Sequence, residues 1–154
     1  MVVRNAFTLL EVLVVALILG ILAAVALPRF AGATDEARTA STRSTLAGVR
    51  ASIATHRTEA IIRGDDPYPT LAELTGSGVV RFDIPPNPFT AVEGVQSVSG
   101  AQADARTVVS PGAAGWNYFV DNVSDPPAAI FYANSDAPTA AGDGSGGQLG
   151  ANEL

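Results

Sequence analysis

A single acidic residue inside a long apolar run is the part of this sequence with the clearest capacity for chemistry. From Phe7 to Leu27 every residue is apolar except Thr8, Glu11 and Gly20. A carboxylate in a lipid-facing segment costs several kcal/mol and persists when a partner neutralises it. The pattern therefore predicts an ion pair, and the candidate partner of Glu11 is the amine of a newly formed N-terminus.

The length of the apolar run indicates which element holds Glu11. As a helix, residues 7–27 would span about 31 Å, the hydrocarbon thickness of a bilayer. Three other interpretations compete with a membrane helix of this kind. They are a secretory signal peptide cut after residues 24–26, an ordinary single-pass anchor, and the core helix of a soluble protein. The length of the run and the position of Glu11 argue against all three.

Composition limits the remaining possibilities. The chain has 154 residues and no cysteine, and it carries fifteen acidic residues against nine basic ones, all of them arginine. The length leaves room for one domain beyond the apolar segment. A net charge of −6 argues against a broad nucleic-acid surface. We find no phosphate-binding glycine loop, metal triad or Ser/His/Asp arrangement, and therefore do not expect an enzyme.

The residues around Glu11 resemble a known processing site. The segment RNAFTLLE at residues 4–11 is similar to the cleavage site of type IV pilins and type II secretion pseudopilins, and the resemblance continues through Gly20 and Pro28. It implies a leader of residues 1–6, cut by a prepilin peptidase between Ala6 and Phe7, and N-methylation of Phe7. Ala6 stands where the family usually has glycine.

The resemblance also implies a function and a set of partners. A homo-oligomeric helical filament would assemble through residues 7–28, with Glu11 paired to the Phe7 amine of a neighbouring subunit. The portion from Gly20 to Pro28 would loosen on assembly. The family's partners are the prepilin peptidase, an inner-membrane assembly platform, minor pilins or pseudopilins, and membrane lipid before assembly.

The resemblance further implies a location. The precursor would cross the inner, cytoplasmic membrane once with its head outside the cytoplasm, and the filament would be periplasmic or at the cell surface. The sequence leaves open a pilus, a secretion pseudopilus or a DNA-uptake filament. An alternative function is a single-pass, membrane-anchored binding module that does not polymerise.

Periodicity predicts that the helix continues beyond the apolar run. In residues 29–63 a single stripe of apolar side chains recurs at helical spacing, comprising Leu46, Val49, Ile53 and Ala60. Gly64 and Pro67 then predict the end of the helix. We expect an α+β, pilin-like fold, in which the C-terminal half of a long helix packs against a small antiparallel β-sheet head.

Residues 64–135 are predicted to form this head. A capping box at Thr70 and Glu73 indicates a short helix. Strands or extended segments are expected at residues 79–84, 92–98, 106–110, 116–121 and 128–133. The layout of Asn87-Pro88-Phe89, then Gly115-Trp116, then a closing strand is similar to that of major pseudopilins, and Trp116 is expected in the core.

Two further expectations concern the loops and the C-terminal segment. Major pseudopilins commonly bind calcium, and the oxygen ligands that this chain offers in loops are Asp121, Asn122, Asp125, Asn134 and Asp136. Their spacing matches no EF-hand, and Asp and Asn populate turns for local reasons, so we predict no metal or other cofactor beyond this calcium hypothesis. Residues 136–154, which are rich in glycine, are expected to be a flexible tail.

Overall fold

A computed structural model describes residues 8–76 and 78–154, with the backbone alone at residues 28–31. It divides into two compact units, Met1–Asp35 and Glu36–Leu154. The first unit consists, in its described part, of apolar helix. The second contains the remainder of the helix, two small sheets and two further short helices, so the α+β fold class predicted from the sequence is confirmed.

The first helix, α1, spans Leu9–Arg63. Its C-terminus has the geometry predicted from Gly64, which adopts a φ of 79°. The Gly64 N–H donates to the Ile61 carbonyl and the Asp65 N–H donates to the Ala60 carbonyl, at 3.3 and 2.9 Å. These two bonds form a Schellman motif, which satisfies carbonyls that the helix end would otherwise leave unpaired.

The apolar stripe of α1 is buried as predicted. Leu46, Val49, Ile53 and Ala60 are each at most 7% exposed. Except for Ala60, they belong to one core cluster with side chains of the sheet, chiefly Trp116, Tyr118, Phe131 and Ala133. The helix is therefore held to the sheet by burial of one face, which supplies most of the stability of a helix in a folded domain.

The main sheet has three strands in the order β1-β2-β3, namely Val95–Ser97, Trp116–Asp121 and Ala128–Ala133. Strands β2 and β3 are antiparallel and match the predicted strands at both ends. Strand β1 pairs with β2 in parallel. The sheet is therefore mixed, because the chain between β1 and β2 is long enough to return to the same end.

The predicted strand at residues 106–110 is wrong. The chain instead forms a short helix, α3, at Gly100–Asp104, and then an irregular segment. Side chains take the place of a neighbouring strand: Asn134 Oδ1 accepts from the Val109 N–H, and its Nδ2 donates to the Val109 carbonyl. A capping box of Ser99 and Gln102 begins α3, and this signal was present in the sequence.

Two other local predictions, the Thr70–Glu73 capping box and the burial of Trp116, are confirmed. Helix α2, Leu71–Thr75, begins with the predicted Thr70–Glu73 capping box. The strand or extended segment expected at residues 79–84 is not found: this segment is irregular, with a turn at residue 79 and a bend at residue 82, and it pairs with no strand of the described chain. Trp116 is fully buried, stacks on Phe131 with ring centroids 5.6 Å apart, and donates its indole N–H to the Pro85 carbonyl at 2.8 Å.

The expectation of a flexible tail at residues 136–154 is also wrong. Strands β4, Pro138–Gly142, and β5, Gln148–Gly150, form a second sheet, followed by a 3-10 turn. The glycines form the turn between β4 and β5. Gly144 and Gly146 have positive φ, and Asp143 Oδ1 accepts from the Ser145 and Gly147 N–H groups. Composition alone does not distinguish such turn glycines from disorder.

Asn87 and Gly115, both part of the pseudopilin-like layout, meet in the interior. The buried Asn87 amide donates to the Gly115 carbonyl at 2.8 Å, and its oxygen accepts from the Phe89 N–H at 2.9 Å. A Cβ atom at Gly115 would lie 2.1 Å from the Val92 carbonyl oxygen. Two backbone segments therefore touch here, and a side chain has no room.

We expect Gly115→Ala to destabilise the full chain in detergent by about 3 kcal/mol, at the upper end of overpacking costs. Thermal denaturation followed by circular dichroism measures the loss. Gly112→Ala is the matched control, because a Cβ atom at that position meets nothing within 4 Å. Equal melting temperatures for the two variants would contradict the backbone contact.

Candidate functional site

The described part of the first unit exposes an apolar surface on all sides of the helix. Thirteen large apolar side chains of α1 are between 43% and 83% exposed, namely Leu9, Leu10, Val12, Leu13, Val14, Val15, Leu17, Ile18, Leu19, Ile21, Leu22, Val25 and Leu27. This helix is long and apolar enough to cross a membrane. A helix that is apolar all round needs either lipid or other helices to cover it.

Glu11 lies in the first turn of this helix and is exposed. The Thr8 hydroxyl caps the turn, since its Oγ1 accepts from the Glu11 backbone N–H at 3.3 Å. A carboxylate is favoured there by the unpaired N–H groups and the dipole of the helix N-terminus. The Glu11 carboxylate forms no ion pair with any residue that the structure describes.

The other predicted processing and assembly residues are placed as follows. Ala6 and Phe7 lie outside the described residues. The helix is continuous across Gly20 and Pro28 in the single chain. Gly20 has open space where a side chain would be, so no contact within the described chain requires glycine there, and the predicted loosening on assembly stays a prediction.

Comparison with known proteins bears on this segment. Residues 1–27 match the family model of the prokaryotic N-terminal methylation motif. The N-terminal segment of the chain therefore carries this methylation motif. A related protein is the type IV narrow pilus major component PilA5 of Thermus thermophilus, which is 48% identical over 48 residues.

The shared pilin-type segment is only part of each protein. The 48 aligned residues cover 31% of this chain and 41% of the Thermus pilin. No solved structure matches the chain. The relationship therefore covers less than half of either protein, and the match to the methylation motif is confined to residues 1–27.

Two of the five calcium candidates use their amides to hold the fold. Asn122 Oδ1 accepts from the Tyr68 N–H and its Nδ2 donates to the Tyr68 carbonyl, at 3.0 and 2.8 Å. Asn134 is fully buried. Its Nδ2 donates to the Ala114 carbonyl, and its Oδ1 accepts from Asn117 Nδ2 at 3.0 Å. Both residues are placed by hydrogen bonds to the protein itself.

The three acidic candidates lie nearer the surface. Asp121 accepts from the Val123 N–H, the Ser124 N–H and the Ser124 hydroxyl. These bonds lower the pKa of Asp121 and order the loop after β2. Asp125 and Asp136 are both exposed. Within residues 8–76 and 78–154, no group of three or more histidine, aspartate or glutamate side chains is arranged to hold a metal ion.

The structure also brings together three arginines that the sequence analysis did not connect. Arg50, Arg57 and Arg106 line a cavity of about 270 Å³ in the second unit, which we term the arginine pocket. Its other walls come from α1, Tyr68 and β3. Arg50 and Arg57 are seven residues apart, a spacing that places them on one helix face, but only the tertiary fold adds Arg106.

We expect Asn134→Ala to lower the free energy of unfolding of the full chain by about 2 kcal/mol or more, because it leaves buried backbone groups without a hydrogen-bond partner. The melting temperature should fall equally with calcium and with a chelator. Asp125→Ala is the control and should leave the melting temperature unchanged without calcium. A calcium-dependent melting shift that Asp125→Ala removes would instead establish the calcium hypothesis.

Proposed function

We propose that this protein is the structural subunit of a type IV pilus-like or type II secretion pseudopilus filament. A prepilin peptidase would cut between Ala6 and Phe7 and methylate the new amine, and subunits would then assemble through α1. The observation that carries the proposal is the apolar helix, exposed on every side and interrupted near its start by a single carboxylate, in the segment that matches the methylation motif.

The exposed surface explains why such a subunit polymerises. A helix leaves the bilayer only if its apolar surface is buried again, and neighbouring helices supply that cover. Full burial of a Val, Leu or Ile side chain is worth about 1.5–3 kcal/mol. With thirteen such side chains exposed, lipid and a helical bundle are both far more favourable surroundings for this segment than water.

Glu11 would set the register of the assembly. In a helical bundle without water, an unpaired carboxylate is costly, and a positive charge within reach is strongly attractive. The amine of Phe7 on a neighbouring subunit would provide that charge. Subunits would then advance by a fixed step along the filament, and the repeated, non-closing contact would leave the assembly open-ended.

The same features favour a membrane-anchored precursor with its head on the outer side, and later a filament at the cell surface or in the periplasm. The assembly platform, minor subunits and peptidase are the partners that this function requires. The pilin name of the Thermus relative favours a pilus over a secretion pseudopilus.

Processing is tested by the intact mass and N-terminal peptide of the protein from its native membrane. We expect a chain that begins at Phe7 and carries one added methyl group. A chain that begins at Leu27 would mean removal of the helix by a signal peptidase. An intact Met1 would favour the alternative of a permanently anchored module, and either result would contradict the proposal.

Assembly is tested by Glu11→Val. We expect normal insertion and processing but loss of filaments, because the ion pair that aligns subunits is gone. Glu36→Val is the matched control, since it removes an exposed carboxylate from the same helix beyond the apolar run. Filament yield by electron microscopy is the measurement, and a normal yield from Glu11→Val would refute the amine-pairing account.

A further inference from the structure

The arginine pocket concentrates positive charge on an acidic protein. It holds three of the chain's nine basic residues, whereas the net charge is −6. None of the three arginines forms an ion pair with a carboxylate side chain in residues 8–76 and 78–154. The pKa of Arg50 is lowered, mainly by burial and further by the positive charge of Arg106. Arg50 already donates to backbone oxygens of Leu154 and Phe131, so Arg57 and Arg106 are the two whose charge is free to attract an anion.

Two of the three guanidinium groups, those of Arg57 and Arg106, are held against aromatic rings. Arg57 lies over the Tyr68 ring, 5.2 Å from its centroid, and Arg106 lies over the Tyr132 ring at 5.4 Å. A guanidinium that stacks through its face keeps its in-plane N–H groups free to donate to a carboxylate. Arg50 is fixed by bonds to the Phe131 carbonyl oxygen and to a backbone oxygen of Leu154, the last residue of the sequence, each 3.1 Å long.

The floor of the pocket is apolar. Ile53 and Ala54 come from α1, and Ile130 and Phe131 come from β3. A free inorganic anion would leave this floor exposed to water. The chemistry instead fits a carboxylate that is attached to, or lies beside, an aliphatic group, since the two parts of such a ligand would meet the arginines and the floor respectively.

One exposed loop of the same chain has this chemistry. The loop between β2 and β3 presents Val123, which is 97% exposed. Asp125 follows two residues later and is exposed, and its carboxylate forms no ion pair with the described residues. Asp121 fixes the loop through three hydrogen bonds, and Asn122 anchors it to Tyr68. The loop is therefore ordered before it meets a partner, which lowers the entropic cost of binding.

We propose that the arginine pocket receives the β2–β3 loop of a second copy of this chain. Val123 of one copy lies on the apolar floor of the other, and Asp125 pairs with Arg57 and Arg106. This contact rests on the proposed function, because it is a lateral contact between the heads of neighbouring filament subunits. Loop and pocket are different sets of residues that adjoin at Tyr68. Each copy would offer its loop to one neighbour and its pocket to another, and such a head-to-tail contact repeats along an open filament.

Cysteine cross-linking tests this contact on the full chain in filaments, and the natural absence of cysteine removes background. We expect the double variant Ala54→Cys with Val123→Cys to form a ladder of disulfide-linked dimers, trimers and higher species on mild oxidation. Each single variant should stay monomeric. The control pairs Ala54→Cys with Ser145→Cys, which lies in a different exposed turn, and should give no ladder.

Charge exchange tests the chemistry of the same contact in the double-cysteine background. Arg57→Glu alone and Asp125→Arg alone should each abolish the ladder, and the two together should restore it. Arg43→Glu, which reverses an exposed charge of α1 outside the pocket, should leave the ladder intact. Loss of the ladder in all these variants would point to a general charge effect and would overturn the specific pairing.

The outcomes separate this contact from the proposed function. Filaments that form normally but give no ladder would overturn the loop-to-pocket contact and leave the filament proposal standing. Cross-linking that stops at dimers would mean a reciprocal pair of copies and would overturn the head-to-tail contact. Absence of filaments from the unmodified chain would overturn both proposals.

Discussion

The structure depends on how the apolar side chains of one helix, α1, are removed from water along its length. At one end α1 carries apolar side chains on every side, and all of the large ones from Leu9 to Leu27 are exposed in the single chain. Toward the other end the head buries one apolar stripe, and Ile61 and Ile62 in the last turn of the helix stay exposed. The first segment needs surroundings that other molecules supply, whereas the stripe is covered within the chain.

The interior of the head is stabilised by buried polar side chains as well as by apolar ones. Asn87, Asn117 and Asn134 are fully buried, and their amides bond to backbone groups of segments that belong to no sheet. The phenol of Tyr118 donates to the Pro69 carbonyl at 2.7 Å, and burial raises its pKa far above the usual value. In this small domain, side chains replace strand pairing as the means of fixing the loops.

What could be predicted from the sequence follows from the range of the interactions involved. The helix end at Gly64, the capping box at Thr70 and the bounds of strands β2 and β3 rest on local signals, and all of them were predicted. Residues 106–110 have strand-forming valines, but the backbone N–H and carbonyl of Val109 are bonded by the Asn134 side chain, 25 residues away, and sequence spacing does not reveal such a partner. The arginine pocket was missed for the same reason, since Arg106 joins the other two only through the tertiary fold. Glu11 was found because its conflict with its neighbours is visible in the sequence itself.

The C-terminal sheet has a consequence for how the head is made. The Ala140 N–H donates to the Thr39 hydroxyl across 101 residues, and Arg50 reaches the Phe131 carbonyl across 81. Contacts of such long sequence separation form late, because a large loop must close before they contribute. During synthesis the stripe of Leu46, Val49 and Ile53 therefore emerges long before β3 and β4 can cover it. The folding of the head waits for nearly the last residues of the chain, so a nascent subunit spends most of its synthesis with a second apolar surface in need of protection.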